Sequence, residues 1–319
     1  MRHVIALDVG GTGMKAALIG LDGTPLYEEW RPAVRERGPE AAVESALRLA
    51  EDLRTLGRTR FGATAEAVGV AVPGAVDTER DTTAHTAGPG RHDVPLRELL
   101  SRRLDGMPVA LGHGARAGGL AEGRLGAGRG VGRFLFVSLG TGITGAIGID
   151  GRVEAGAHGR AGELGHVVVR PGGPACGCGG RGCLETLASA AAIGRAWAAT
   201  SGDPSADAAD CARAVDAGDE TACGVWRAAV AALADGLLTA VTVLNPRTLI
   251  IGGSLAEAGD TLLTPLRVAV AERVTFQRLP TIVPAALGDA AGCLGAGLLA
   301  RDLVATASAP HRADRPTGR

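Results

Sequence analysis

Cys176, Cys178 and Cys183 place three thiols within eight residues, with four glycines between them, and His166 lies ten residues upstream. Three sulfurs and one imidazole make a closed tetrahedral zinc set. No position is left open for water, so the metal expected here is architectural. The competing reading is three unrelated cysteines in a loop, but so glycine-rich a segment has little core of its own to order it without a metal. Glu163 stands three residues before His166 and Glu185 two after Cys183. The same loop would therefore present two carboxylates, a pair well suited to the vicinal hydroxyls of a sugar. With one imidazole nitrogen on the metal, the other is available to a hydroxyl, which would couple metal and substrate. Glu185 also has a plainer reading, as the first-turn acid of a helix.

A second chemistry is written in glycine. Asp8 ends an apolar run and is followed by Gly10-Gly11-Thr12. Such a turn lets backbone amides face an anion, while the Thr12 hydroxyl and Asp8 carboxylate suit a phosphate and magnesium-bound water. Gly140-Thr141-Gly142 repeats the device after another apolar run. Each alone could be a simple hairpin turn; two in the same strand-turn-strand context read as a pair of phosphate clamps for ATP with Mg²⁺. Gly252-Gly253, between a strand and a helical pattern, is a third candidate, for the adenosine part. Lys15, the only lysine in the chain, follows the first turn, where it either reaches a phosphate or is a solvated strand residue.

The elements that must hold these residues follow from periodicity. Short apolar runs at 4–7 and 15–19, then Leu26 and Tyr27, predict a three-stranded meander. Apolar residues at helical spacing predict a helix over 39–56, and 67–72 reads as a strand. A strand at 108–111 leads into a Gly/Ala-rich helix at 115–125. Strands at 134–139 and 146–149, with a hairpin at Asp150-Gly151, then repeat the opening pattern, an internal duplication that predicts two related lobes with a cleft between them. Beyond it the chain reads as helices at 185–200, 220–244, 261–274 and 290–304, with a strand at 248–251. The expected division is an N-terminal lobe of 1–112, joined by a helix at about 290–307, a second lobe of 113–289 with the metal loop, and a disordered tail at 308–319.

Composition sets the limits. The chain has 319 residues, 46% hydrophobic and 21% charged, with a net charge of −1. That is an ordinary globular balance. No basic stripe supplies the footprint a nucleic-acid backbone needs, so nucleic acid is excluded as a partner. The first residues run into a strand pattern with no charged leader, no cleavage site and no apolar run long enough to span a bilayer, which predicts a cytoplasmic protein without a membrane partner. In a reducing compartment clustered cysteines point to metal rather than disulfides, and Cys211, Cys223 and Cys293 read as small buried residues. Fifty glycines make short glycine motifs common by chance, so only those flanked by the right strand or helix pattern carry weight.

With these motifs in place, the sequence resembles the ROK family of bacterial sugar kinases and sugar-responsive repressors, members of the actin-like ATPase (ribonuclease H-like) superfamily of two-lobed α/β proteins. Asp8-Val-Gly-Gly-Thr12 looks like the family's first phosphate motif and Gly140-Thr-Gly142 like its second. Gly156-Ala-His-Gly-Arg-Ala-Gly-Glu-Leu-Gly-His166 resembles the sugar signature, and Cys176-Gly-Cys-Gly-Gly-Arg-Gly-Cys-Leu-Glu185 the zinc loop. The resemblance implies ATP-dependent phosphorylation of a hexose, aminohexose or related cyclitol, with Glu163, His166 and Glu185 on the sugar, and a homodimer. The first phosphate motif begins at once, without the helix-turn-helix that the family's repressors carry ahead of it, which argues against a repressor.

Two departures stand out. Family kinases carry an Asn-Asp pair before the inter-lobe helix, the Asp being the general base; here His113-Gly114 occupies the place, with Arg116 where a second Asn is usual. About Ala87 replaces a sugar-binding Asn, Arg91 stands where an aromatic is common, and His158 replaces the signature Asn. Losing a general base costs about 10²- to 10⁴-fold, yet phosphoryl transfer depends mostly on positioning. His113, an imidazole poised near neutral pH, is the candidate replacement base. Three readings follow: a sugar kinase with an altered sugar site, a catalytically silent sugar or nucleotide sensor, and a ROK-type enzyme recruited to another biosynthetic reaction.

Overall fold

The computed structural model describes residues 1–10, 13–32, 38–77, 82–84 and 93–308. Within them the chain forms two compact units. One is built from the chain up to Thr83, Val94–Gly112 and the residues from Ala296; the other is built chiefly from His113–Gly295.

The first unit opens with the meander expected from the apolar runs. β1 (His3–Val9) pairs antiparallel with β2 (Gly13–Gly20), and β2 with β3 (Pro25–Pro32), through a register shift at Leu18/Ile19. The chain then forms α1 (Pro39–Phe61), closed by Gly62 in the left-handed region, and returns as β4 (Val68–Val72) parallel to β1. Three short strands follow, β5 (Ala75–Asp77), β6 (Thr82–Ala84) and β7 (Asp93–Val94), and then α2 (Leu96–Arg103) and β8 (Val109–His113). The main sheet runs β3-β2-β1-β4-β8. Its core gathers Ile5, Leu7, Leu18, Leu49, Leu53, Val70 and Leu100, all almost fully buried.

The second unit repeats this order. α3 (Gly114–Leu125) leads to β9 (Arg133–Leu139), β10 (Ile143–Ile149) and β11 (Arg152–Glu154), again an antiparallel meander. Four helices intervene: α4 (Glu185–Ala188), α5 (Ala190–Ser201), α6 (Ala208–Asp216) and α7 (Glu220–Leu244). β12 (Thr248–Gly252) then lies parallel to β9, α8 (Asp260–Arg273) follows, and β13 (Thr281–Pro284) pairs parallel with β12. The sheet order is β11-β10-β9-β12-β13. β9 alternates strictly: Leu135, Val137 and Leu139 join Leu184, Ile193, Trp226 and Leu233 on one face, and Phe134 and Phe136 join Ala146 and Ile250 on the other. α7 is long and apolar enough to cross a membrane, and here its buried residues belong to the first of these cores. The last helix, α9 (Ala291–Ser308), ends the described chain; the tail expected beyond it lies outside the described residues.

Two details correct the sequence reading. The helix expected over 185–200 is broken at Ser189, whose backbone is extended and whose Oγ accepts from the Ala192 amide at 3.1 Å, capping α5. Gly252-Gly253 opens not an α-helix but a 3₁₀ turn, Ser254–Ala258, ahead of α8. α2, α6 and β13 lie outside the elements expected from the sequence, although α6 has a legible start, where the Asp207 carboxylate accepts from the Ala209 and Asp210 amides, and gathers its apolar residues on one face. Cys211 and Cys293 are buried as expected, whereas Cys223 is half-buried.

The glycines of α3 have a packing use. A Cβ on Gly119 would lie 2.4 Å from that of Ala146, so the helix rests closer to the sheet than an alanine would allow. Its one buried acid, Glu122, is fully enclosed and accepts from the amides of Ala127 (2.8 Å), Ala286 (3.2 Å) and Leu287 (2.8 Å). Glu122 thereby ties α3 to the loop that follows β13. Glu122→Ala leaves these donors without their acceptor and should lower stability by about 3 kcal/mol or more, read as a fall in the urea midpoint.

Candidate functional site

Asp8 lies at the end of β1, and in the first unit the turn beyond it is closed by the Gly10 amide donating to Gly13 O at 2.8 Å. Gly11 and Thr12, the centre of the expected clamp, lie outside the described residues, as do Ala87 and Arg91. Lys15 sits directly opposite Asp8 in the antiparallel register. The two side chains therefore leave the same face of the sheet.

In the second unit the Gly140 amide donates to Gly142 O at 3.0 Å, closing the β9–β10 turn with Thr141 exposed at its tip. Parallel pairing sets Gly252 opposite Ser138, so β9 and β12 end together. Gly253 has φ 85°, and a Cβ there would lie 2.4 Å from Leu139 O; only glycine lets the two strand ends touch in this way. Ser254 then comes beside Gly140, its Oγ 4.0 Å from where a Gly140 Cβ would stand. Sequence reasoning passed over Ser254, although a serine directly after a glycine pair at a strand end is a visible signal.

The signature loop is held against β10, where the Gly145 amide donates to Gly162 O at 2.6 Å. A 3₁₀ turn, Leu164–His166, then aims the His166 ring at the cysteine loop. The His166 nitrogen and the three cysteine sulfurs all lie within 4.8 Å of one another. Cys176 Sγ is 3.6 Å from His166 Nδ1, and Cys178 Sγ is 3.7 Å from Cys183 Sγ. With metal–sulfur bonds of about 2.3 Å and a metal–nitrogen bond of about 2.05 Å, tetrahedral edges come to roughly 3.8 Å for S···S and roughly 3.6 Å for S···N. The set fits one tetrahedral cation, and its thiol-rich chemistry suits zinc. Burial raises the Cys176 thiol to about 12, so this group ionises readily only with a cation beside it.

Glu185 joins these parts. Its Oε1 accepts from Cys176 Sγ at 3.1 Å and lies 3.5 Å from His166 Nδ1, while Oε2 lies 2.9 Å from where a Cβ on Gly142 would stand. One carboxylate thus spans the cysteine cluster and the glycine turn. The break at Ser189 makes this possible, since α4 is a separate short helix and the Ala190 amide donates to Gly140 O at 2.9 Å. His158 stands exposed on the loop before Glu163.

At the start of α3, His113 is only 7% exposed and its Nδ1 has no hydrogen-bond partner among the described residues. Burial first, and then the Arg116 charge, push its pKa down from 6.5 to about 4. The near-neutral titration expected from the sequence is therefore not what this environment gives. Arg116, one turn along, is itself lowered by burial and partly restored by Glu163.

Known proteins resemble this chain along nearly its whole length. The model of the ROK family matches residues 4–303. A protein named glucokinase from Thermotoga maritima is 34% identical, over 94% of this chain and 98% of its own. Among solved structures, a ROK hexokinase from Thermus thermophilus superposes with a TM-score of 0.83 at 34% identity, covering 96% of this chain and all of that one. A ROK family glucokinase from Streptomyces griseus, solved with glucose and AMPPNP, gives 0.80 at 29% identity over 94% of this chain and 99% of its own.

The His113 environment makes a pH prediction. Above pH 6.5 the ring is neutral in both folded and unfolded chains; as pH falls towards about 4, the unfolded chain takes up a proton that the folded one refuses. Stability is therefore lost across that window, by about 3 kcal/mol in all. Urea denaturation of the wild type and His113→Gln at each pH should show the variant's loss to be smaller by that amount.

Proposed function

The chain belongs to the ROK family, and we propose that it is an ATP-dependent sugar kinase whose sugar site departs from that of the glucokinases. The observation that carries this reading is the position of Glu185, in contact with Cys176 and His166 on one side and against Gly142 on the other. An acid that holds sugar hydroxyls is thereby fixed beside a turn that holds phosphate. The fold is the α/β, actin-like fold of its relatives.

Asp8, Gly10, Gly11, Thr12, Lys15, Gly140, Thr141, Gly142, Gly252 and Gly253 are the residues we assign to the phosphates and adenosine of ATP with its Mg²⁺. Magnesium supplies charge neutralisation on the phosphates, and zinc held by His166, Cys176, Cys178 and Cys183 supplies rigidity to the loop. Glu163, Glu185 and His166 Nε2 would orient the sugar, with His158 at the rim. The acceptor oxygen bonds to the γ-phosphorus as the bond to the bridging oxygen breaks, and ADP leaves with that electron pair. His113 is the residue left to receive the hydroxyl proton, and with a pKa of about 4 it is a weak acceptor. Turnover of a neutral hexose should accordingly be slow. A cytosolic location, where the thiols stay reduced, fits this chemistry.

Incubating the protein with ATP, Mg²⁺ and a panel of hexoses, aminosugars and cyclitols should give sugar-dependent ADP release; tight ATP binding with no release for any sugar would leave the silent-sensor reading, which Gly114 favours. Cys183→Ser should abolish bound zinc in metal analysis and remove sugar-dependent turnover, while nucleotide affinity persists.

A further inference from the structure

The start of α3 carries three features that oppose one another in the free protein. The N-terminus of this twelve-residue helix has no acid in its first turn and no side-chain cap. Its unsatisfied amides and macrodipole therefore leave partial positive charge there. Arg116 sits in that same first turn, a cation at the end of a helix that favours anions, and its Nη1 is buried with no hydrogen-bond partner among the described residues. The cap position is His113, more than nine-tenths buried, with Nδ1 also unpartnered among the described residues. Buried polar groups left this way are costly, and all three penalties are relieved by the same event, the arrival of an anion.

Glu122, the acid of α3 itself, is committed to backbone amides at the far end of the helix. The Glu163 carboxylate raises the Arg116 guanidinium through its charge, so the cation lies within electrostatic reach of one of the acids assigned to the sugar. Resting on the kinase reading above, we propose that the N-terminus of α3, with His113 and Arg116, is an anion subsite within the sugar site, so that the preferred substrate is a sugar bearing a carboxylate or phosphate of its own. The imidazole at pH 7 is neutral and can donate one ring hydrogen to the anion, while the guanidinium supplies charge and a directed N–H.

Matched pairs test this: glucose against glucuronate and glucose 6-phosphate, and galactose against galacturonate and galactose 6-phosphate, each titrated calorimetrically and assayed for ADP release. The expected result is an anionic member bound and turned over at least about tenfold better than its neutral partner. Whether the uronate or the 6-phosphate wins identifies the anion. Arg116→Gln should erase the preference and leave glucose and ADP affinities unchanged, and His113→Gln should weaken it less. Equal use of neutral and anionic sugars, or a preference for the neutral ones, overturns the subsite while the kinase stands. Weakened ATP affinity in Arg116→Gln with the sugar preference intact also overturns it, because the cation would then serve the nucleotide. No binding or turnover of any sugar overturns both readings.

Discussion

In the second unit β12 lies parallel to β9 with Gly252 opposite Ser138, so both strands end at one edge of the sheet. Parallel strands deliver their following loops to the same side, and that is where open α/β sheets gather ligands. The glycine turn, the Gly253–Ser254 step and, through Glu185, the cysteine loop all take their places from this ladder. A strand shifted by one residue would reverse the alternation of Phe136 and Val137 between the two cores, so the burial of both faces fixes the register.

The architecture was readable where the signal is local. A strand, a glycine turn and a second strand leave a period-two pattern over a few residues, and it occurs twice, matching the shared strand order of the two sheets. The Cys3His spacing was equally plain, since ligands so near in sequence need little tertiary help to meet. Ser189 was not legible, because one capping serine inside an alanine-rich stretch looks like helix interior until its hydroxyl is seen on the Ala192 amide. The depressed basicity of His113 was hidden for a different reason. It depends first on burial, which one sequence does not state, and then on the charge of Arg116 three residues along the helix, which acts strongly only where water is excluded.

The site thus mixes parts that resemble the family's motifs with parts that depart from them. Glycine turns and the metal set need particular backbone geometry and particular donors, and they are the motifs that carry the resemblance to the family in the sequence. The start of α3 needs only a helix N-terminus, and its side chains can change without disturbing the sheets. His113, Gly114 and Arg116 change the local charge while Glu122 and the close approach of Gly119 keep the helix in place.

Lys15, opposite Asp8, is the only side-chain amine in 319 residues. An amine-selective acylating reagent therefore has one internal target, and the charge it removes lies on the face shared with the carboxylate of the first glycine turn. Protection of that single amine by a nucleotide would report occupancy directly, from a chain whose other basic side chains, arginine and histidine, give no comparable stable adduct.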